Sequence, residues 1–520
     1  MKKLLLLSMS ALAVTFSFSQ TKWYEDAAEV FFNNCTECHN PNGIGPNSLM
    51  TYNEAVNYGP LIESYVENNV MPPWTADSSF QHYAQERLLT QAERDVILNW
   101  ISDGMLEGDV AQGPPTPVYN GAQMLSGVPD LVVTAPNYMS KATATSDDYV
   151  CFAIPSGLTE NRKVKAIEVI PGNRQIVHHC LVYSDDTGWA VTDTSGDCAG
   201  PVTSELMGGY TPGATPTIFP STDNFAAGME ITAGSEIVLA MHYPAGSYGE
   251  FDQTKVNFYF YEEPVANFRP VACEPIVSDW AFSIPAATFD SVEVADNSVT
   301  ADITMLSVFP HMHLLGDYIE SYGVTPSNDT LNFAKIPKWD FDWQDFYWFE
   351  YMQKIPANTI IHGKGIYNNT VTNPHNPNNP PQTVSAGLNT SDEMFLIYFH
   401  FMAYQNGDEF ISVDSLTTEF LSDGGILAKD HSFIQTYPNP FDHSTTIMYS
   451  LKQAATVSLY IYDMQGRVVN KLVDRENQAE GTTQLEWNGT NAAGLEVPSG
   501  VYFYSIMVDG VPFSGKIVKK

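Results

Sequence analysis

The 520-residue sequence predicts a multidomain chain: a small all-α unit, two all-β sandwiches, then a further, smaller β-sandwich. Three observations predict it. Apolar residues recur at helical spacing only before residue 110. From about 125 the chain breaks into short alternating runs bounded by Gly, Pro, Asn and Asp. The length also exceeds what one hydrophobic core holds.

The first segment, 1–19, joins two lysines to the apolar run Leu4–Phe18 and ends on the small-residue site Ser17-Phe18-Ser19. This predicts a secretory signal peptide cut before Gln20. No cysteine stands directly after the cut, so a lipid anchor is not expected, and no later run has the apolar length of a membrane-spanning helix. The exported chain is expected in an oxidising compartment. Its 60 acidic and 24 basic residues give a net charge of −36, which excludes nucleic acid and anionic membranes as partners.

Residues 21–110 form the helical unit. "TQAERDVILNWISDG" places Thr90 and Glu93 at capping-box spacing, repeats apolar residues at Val96, Ile97, Trp100 and Ile101, and stops at Gly104. Residues 111–124, with "AQGPPTPVYNG", read as a linker. Two sandwiches are expected over 125–265 and 266–425, and the last unit over 433–520, where "TVSLYIYDM" and "GVYFYSIMV" alternate strictly.

"CTECH", Cys35 to His39, is a C-x-x-C-H sequence. Two thiols at this spacing attach a c-type haem covalently, and the adjacent imidazole ligates its iron. A redox dithiol would follow a strand and would not need His39. A zinc site would need a second cysteine pair, and none is nearby. The unit resembles a small class I cytochrome c over its full length: "HNPNGIGP" follows the attachment site, and "LIESYVENN" leads to "VMPPW". The resemblance implies Met71 as the distal ligand, with His82 as its rival and a core role as the plain alternative. Met/His ligation suits electron transfer.

Three separated stretches carry histidines: "QIVHHCLVYS" (His178, His179), "EIVLAMHYPAG" (His242) and "FPHMHLLG" (His311, His313). Residues two apart on a strand point the same way, so His311 and His313 form a ready two-pronged clip. His178 and His179 would face opposite sides of a regular strand, so sharing one metal requires a bulge or a strand end there. His242 alternates with Val238 and Ala240 and by itself reads as a core histidine. Buried together, these imidazoles would each need a partner. Imidazole sets suit Zn, Cu, Fe or Ni, and an added thioether tilts the set toward copper. Met394, in "TSDEMFLIYFHFM", is a candidate thioether that alone reads as core.

Over about 125–415 the chain resembles the copper type II, ascorbate-dependent monooxygenases, the peptidylglycine α-hydroxylating and dopamine β-monooxygenase family. The order carries the likeness: an HH pair, a lone His before Tyr, an H-x-H pair, then Met after Asp-Glu. The resemblance implies two jelly-roll-like domains with a solvated cleft between two coppers. His178, His179 and His242 would bind the electron-supplying copper, and His311, His313 and Met394 the copper where oxygen reacts. It implies hydroxylation of a C–H bond by O2, with ascorbate or another reductant. It also implies a Cys151–Cys198 disulfide, leaving Cys180–Cys273 by elimination. Where the peptide-amidating enzyme has an arginine two residues before H-x-H, this chain has Phe309. Where that enzyme has an asparagine two residues after the Met, this chain has Leu396, although a tyrosine is kept at Tyr398. The expected substrate is therefore a small, apolar-leaning molecule. His400, on the same strand face as Met394 and Tyr398, either lines that pocket or belongs to the core.

The last unit, with "TYPNPF", "YDMQGR", "PSGVYFYSI" and the basic end "GKIVKK", looks like a type A sorting domain of the type IX secretion system, an Ig-like β-sandwich. That implies the type IX machinery as a partner and a secreted or cell-surface location. The sequence as a whole suggests a secreted oxidoreductase with one covalent haem c and two copper ions. In this reading the haem passes electrons, received from an external reductant or redox protein, to the His178/His179/His242 copper. A haem/copper electron-transfer or copper-binding surface protein is the alternative.

Overall fold

A computed structural model describes residues 20–520 except 42, 44, 118, 120–123, 126–127, 199, 202–203, 223–224, 342, 414–433, 438, 452–454, 464–466, 480 and 509–510. The predicted signal segment 1–19 and the expected boundary between 425 and 433 lie outside the described residues. Two compact units form: the described residues up to Trp74 with Arg87–Pro117, and Thr75–Glu86 with those after Pro117.

The first unit is helical, with α-helices at Ala28–Asn34, Tyr52–Asn57, Gly59–Glu67 and Gln91–Ser102. The predicted capping box forms: Thr90 Oγ1 accepts from Glu93 N at 3.2 Å, and Glu93 Oε2 accepts from Thr90 N at 2.8 Å. Ile97 and Trp100 turn into a core with Trp23 and Phe31, whose rings lie 5.3 and 5.7 Å from Trp100. The predicted unit 21–110 needs one correction, because Thr75–Glu86 belongs to the second unit. Its backbone is held there, Asp77 N donating to Lys335 O at 2.8 Å and Ala84 N to Trp348 O at 2.7 Å.

In the second unit each predicted sandwich is present. The first has a five-stranded sheet ordered Asp193–Gly196, Asp148–Pro155, Glu236–Tyr243, His179–Asp185, Glu205–Tyr210, and a seven-stranded sheet that includes Arg162–Ile170 and Phe225–Ile231. The second pairs the sheet Ala272–Asp279, Phe395–Ala403, Ile303–His311, Tyr347–Ile355 with the sheet Thr288–Asp296, Ile360–Asn369, Gly316–Val324, Thr330–Ile336. Phe268–Pro270 pairs in parallel with Phe225–Ile231, so the first sandwich runs past the predicted boundary at 265/266.

One apolar cluster spans both sandwiches, with Val150 and Leu239 from the first and Leu306, Phe309, Trp348 and Met402 from the second. Burial of that shared face holds the two together. The buried Arg269 adds a polar clamp: its guanidinium donates to Asp408 Oδ1 and Oδ2 at 2.8 and 2.6 Å, and to Ala403 O at 2.7 Å. Thr304 also donates to Asp408. Burial works to raise the Asp408 carboxyl, but these donors outweigh it and hold the group below the usual carboxylate range.

The tail folds as a separate sandwich of three- and four-stranded sheets around Phe441, Tyr449, Ile461 and Trp487. Among the described residues, no helix is long and apolar enough to cross a membrane.

Candidate metal centre

The three histidines of the first sandwich converge. The His179–Asp185 strand begins at His179, which pairs across the sheet with His242. His178 lies just outside the strand, its N–H donating to His242 O at 3.0 Å. This is the strand end that adjacent imidazoles need to reach one point. His178 Nδ1 lies 3.3 Å from His179 Nδ1 and 3.2 Å from His242 Nδ1, and the remaining pair is 3.4 Å apart. His242 is 1% exposed, so it is buried as a core residue would be, yet its Nδ1 faces the other two. Its Nε2 sits 3.3 Å from Asp147 Oδ2. A proton on Nε2 faces that carboxylate and leaves the Nδ1 lone pair toward the other two rings. Burial raises the Asp147 carboxyl, but His242, Thr390 and the Ala245 amide outweigh it and hold the group at about 2. Tyr149 stacks flat on His242 with centroids 4.3 Å apart.

In the second sandwich the Ile303–His311 strand pairs with Phe395–Ala403 so that His311 faces Leu396. Continued by two residues, that antiparallel register sets His313 opposite Met394. The structure ties the two backbones together there. Glu393 is fully buried and accepts from Leu315 N, His313 N and Met394 N at 2.6, 3.1 and 3.2 Å. Burial pushes its carboxyl up to about 8 against those three donors. His313 Nδ1 donates to Asp392 O at 3.2 Å, and His311 Nδ1 to Gln344 Oε1 at 2.6 Å. Both rings therefore keep the Nε2 lone pair for a ligand. Met394 is buried immediately before the Phe395–Ala403 strand.

The two sets meet across one aromatic ring. Phe341 stacks on His178 at 4.8 Å and meets His313 edge-on at 6.1 Å. Where the resemblance implies a solvated cleft, the structure puts this ring. Tyr149 and Thr390 hydrogen-bond between the sandwiches beside it, and Thr211 donates to Gln344 O. Desolvation lowers four of these imidazoles: His179 well below its usual value, with the other four histidines adding to the effect, His242 and His311 to about 4, and His313 to about 3. At neutral pH these rings are uncharged donors, the form a metal requires. The donor chemistry is nitrogen alone at His178, His179 and His242; in the second sandwich it is the His311/His313 nitrogens, with the backbone of Met394 tied to that of His313 through Glu393.

His400 belongs to the core. It is fully buried, its Nδ1 is 2.7 Å from Ser307 Oγ, and Trp348 stacks on it at 5.1 Å. Burial lowers it to about 3. Cys151 and Cys198 form the implied disulfide. The bridge Cys180–Cys273 does not form. Both residues are buried thiols, one on a strand of the first sandwich and one on a strand of the second.

In the helical unit Cys35 and Cys38 are thiols in the turn after Ala28–Asn34. His39 Nδ1 donates to Asn47 O at 2.8 Å, which leaves the Nε2 lone pair as the ligand atom the ring could offer. The loop folds back over the motif, with Gly45 N donating to Cys38 O at 2.8 Å. A Cβ on Gly45 would lie 2.6 Å from His39 Nδ1, so only glycine fits against that ring. Met71 is half-buried in the turn after Gly59–Glu67. Its rival His82 falls in the second unit, side chain exposed, 3.3 Å from Glu86. Asp147, Phe341, Gln344 and Glu393 had no assigned role in the sequence reading. Glu393 alone had a signal, its place directly before Met394.

Among known proteins, the FlgD Ig-like domain family matches residues 441–510, which makes the tail Ig-like. No curated protein matches. Solved structures with partial similarity include PorZ, a surface component of the type IX secretion system of Porphyromonas gingivalis (17% identity, 24% of this chain and 15% of that one, TM-score 0.14). Latent PorU from the same organism is another (11% identity, 72% of this chain and 34% of that one, TM-score 0.16). This chain thus spans about a third or less of either relative's length.

Proposed function

We propose that the chain is an exported, haem-linked copper monooxygenase that hydroxylates a small apolar molecule: RH + O2 + 2 e⁻ + 2 H⁺ → ROH + H2O. The observation that carries this reading is the convergence of three Nδ1 atoms from His178, His179 and His242, with the backbone of His313 tied through Glu393 to that of Met394 in the second sandwich. His311 and His313 with Met394 would hold the second copper, and Cys35, Cys38, His39 and Met71 the haem. Bound there, the coppers would supply one-electron redox cycling and a place for O2 to react, and the haem would supply electrons.

The chain's own residues do the positioning. Asp147, Gln344 and Asp392 O orient the rings of His242, His311 and His313. Glu393 locks the His313 and Met394 backbones into one geometry. Phe309 stacks beside His311, Leu396 pairs across the sheet from it and Phe341 meets His313 edge-on, and these apolar neighbours support an apolar substrate. The Ig-like tail supports export by type IX secretion, with a secreted or surface-attached product.

The test is turnover of a panel of small apolar substrates under ¹⁸O2 with a reductant. The reading expects product heavier by one ¹⁸O atom, lost in Met394→Ala while the haem spectrum stays. Reduction of O2 with no labelled product from any substrate would leave an electron-transfer protein instead.

A further inference from the structure

We infer that the Asn389–Asp392 turn couples the two histidine sets, with Thr390 as the positioning residue that carries the coupling to His242. The inference rests on the metal-binding reading above, and it assigns a contact that the solvated cleft of the family resemblance lacks.

The turn belongs to the second sandwich and runs directly into Glu393. It is closed on itself: Asp392 N donates to Asn389 O at 2.8 Å, and Asp392 Oδ2 accepts from Asn389 N and Nδ2 at 3.2 and 2.9 Å. A turn so closed moves as one piece. Its carbonyls hold the second set, since His313 Nδ1 donates to Asp392 O at 3.2 Å and the same ring reaches the Asn389 carbonyl.

Its one hydroxyl holds the first set. Thr390 is 8% exposed and hydrogen-bonds both Tyr149 and Asp147 of the first sandwich. Those two residues support His242. Tyr149 stacks on its ring at 4.3 Å and 3°, and Asp147 Oδ2 lies 3.3 Å from its Nε2.

The direction of these bonds follows from the groups. An ionised carboxylate only accepts, and a hydroxyl has one proton to give. Asp147 therefore takes the Thr390 proton, and Thr390 Oγ1 accepts from the Tyr149 hydroxyl. The hydrogen bonds run from Tyr149 through Thr390 to Asp147 and end at His242. A buried, satisfied network of this kind specifies one arrangement of all its members. A metal that fixes the His242 ring thus fixes the turn, and through the turn's carbonyls the ring of His313. By linkage the effect is reciprocal. Valine at 390 keeps the shape of the side chain and removes the middle link.

The probe is zinc(II), a redox-inert ion, added to the full chain carrying His311→Ala. There the His178/His179/His242 set keeps all its ligands, and His313 serves as a reporter. Ring nitrogens are followed by NMR of ¹⁵N-labelled histidine, and zinc affinity by calorimetry. The coupling predicts that zinc shifts the His313 ring resonances, that the shift is lost on adding Thr390→Val, and that it is present with Thr390→Ser. It also predicts zinc affinity lowered about fivefold or more by Thr390→Val and held within about twofold by Thr390→Ser. Unchanged affinity with Thr390→Val, or a His313 shift of equal size with and without the hydroxyl, would overturn the coupling and leave the metal-binding reading intact. Failure of zinc to bind His178, His179 and His242 at all would overturn both.

Discussion

Replacing Glu393 with alanine is expected to strip the copper proposed at His311, His313 and Met394, leave the one proposed at His178, His179 and His242, and destabilise the second sandwich by roughly 3–5 kcal/mol. The size follows from three buried amides, of Leu315, His313 and Met394, that lose their only described acceptor. A buried donor left unpaired costs about 1–3 kcal/mol, and relief of the buried carboxyl's own desolvation offsets part of the sum. The selectivity follows from place: Glu393 ties His313 to Met394 and touches none of His178, His179 or His242. Copper per chain and urea unfolding of the copper-free protein check the two halves. Full retention of both coppers would show that Glu393 does not set the ligand geometry.

The second large effect is at Arg269. Alanine there leaves the Asp408 carboxylate buried with Thr304 and the Gln405 amide but no cation. Breaking one side of a buried pair costs about 3–5 kcal/mol. The double variant Arg269→Met, Asp408→Leu is expected to regain most of that loss, because no charge is then stranded. Urea midpoints of the parent, single and double variants measure it. A single variant within about 0.5 kcal/mol of the parent would place the clamp at a solvated surface rather than in the joint between sandwiches.

Particular residues show what was legible beforehand. The capping box at Thr90 and Glu93 was, because local spacing decides it. The His311/His313 clip was legible because strand alternation alone sets two imidazoles on one side. His178 and His179 were half legible: adjacency demanded a strand end, and the strand does begin at His179. His242 read as core by its spacing alone, and only the family resemblance made it a ligand candidate; pairing with His179 is what brings its ring to the other two. Asp147, Gln344 and Phe341 carried no signal, because their roles exist only once distant strands are in register and the sandwiches share a core. For the same reason the placement of Thr75–Glu86 was missed. Its anchors lie some 250 residues away in the chain, as with Tyr83 and Phe333. Pairing Cys180 with Cys273 failed because elimination ignores which strands the two residues occupy.

The central claim is that two separate donor sets, one all-nitrogen and one with a thioether, each hold copper. The most direct measurement is X-ray absorption at the copper edge on the reduced full-length chain, together with copper and haem counts. The account predicts two coppers per haem, and a copper–sulfur shell that disappears in Met394→Ala while the nitrogen shell of the other site remains. One copper per haem, or no sulfur shell in the parent chain, would contradict it.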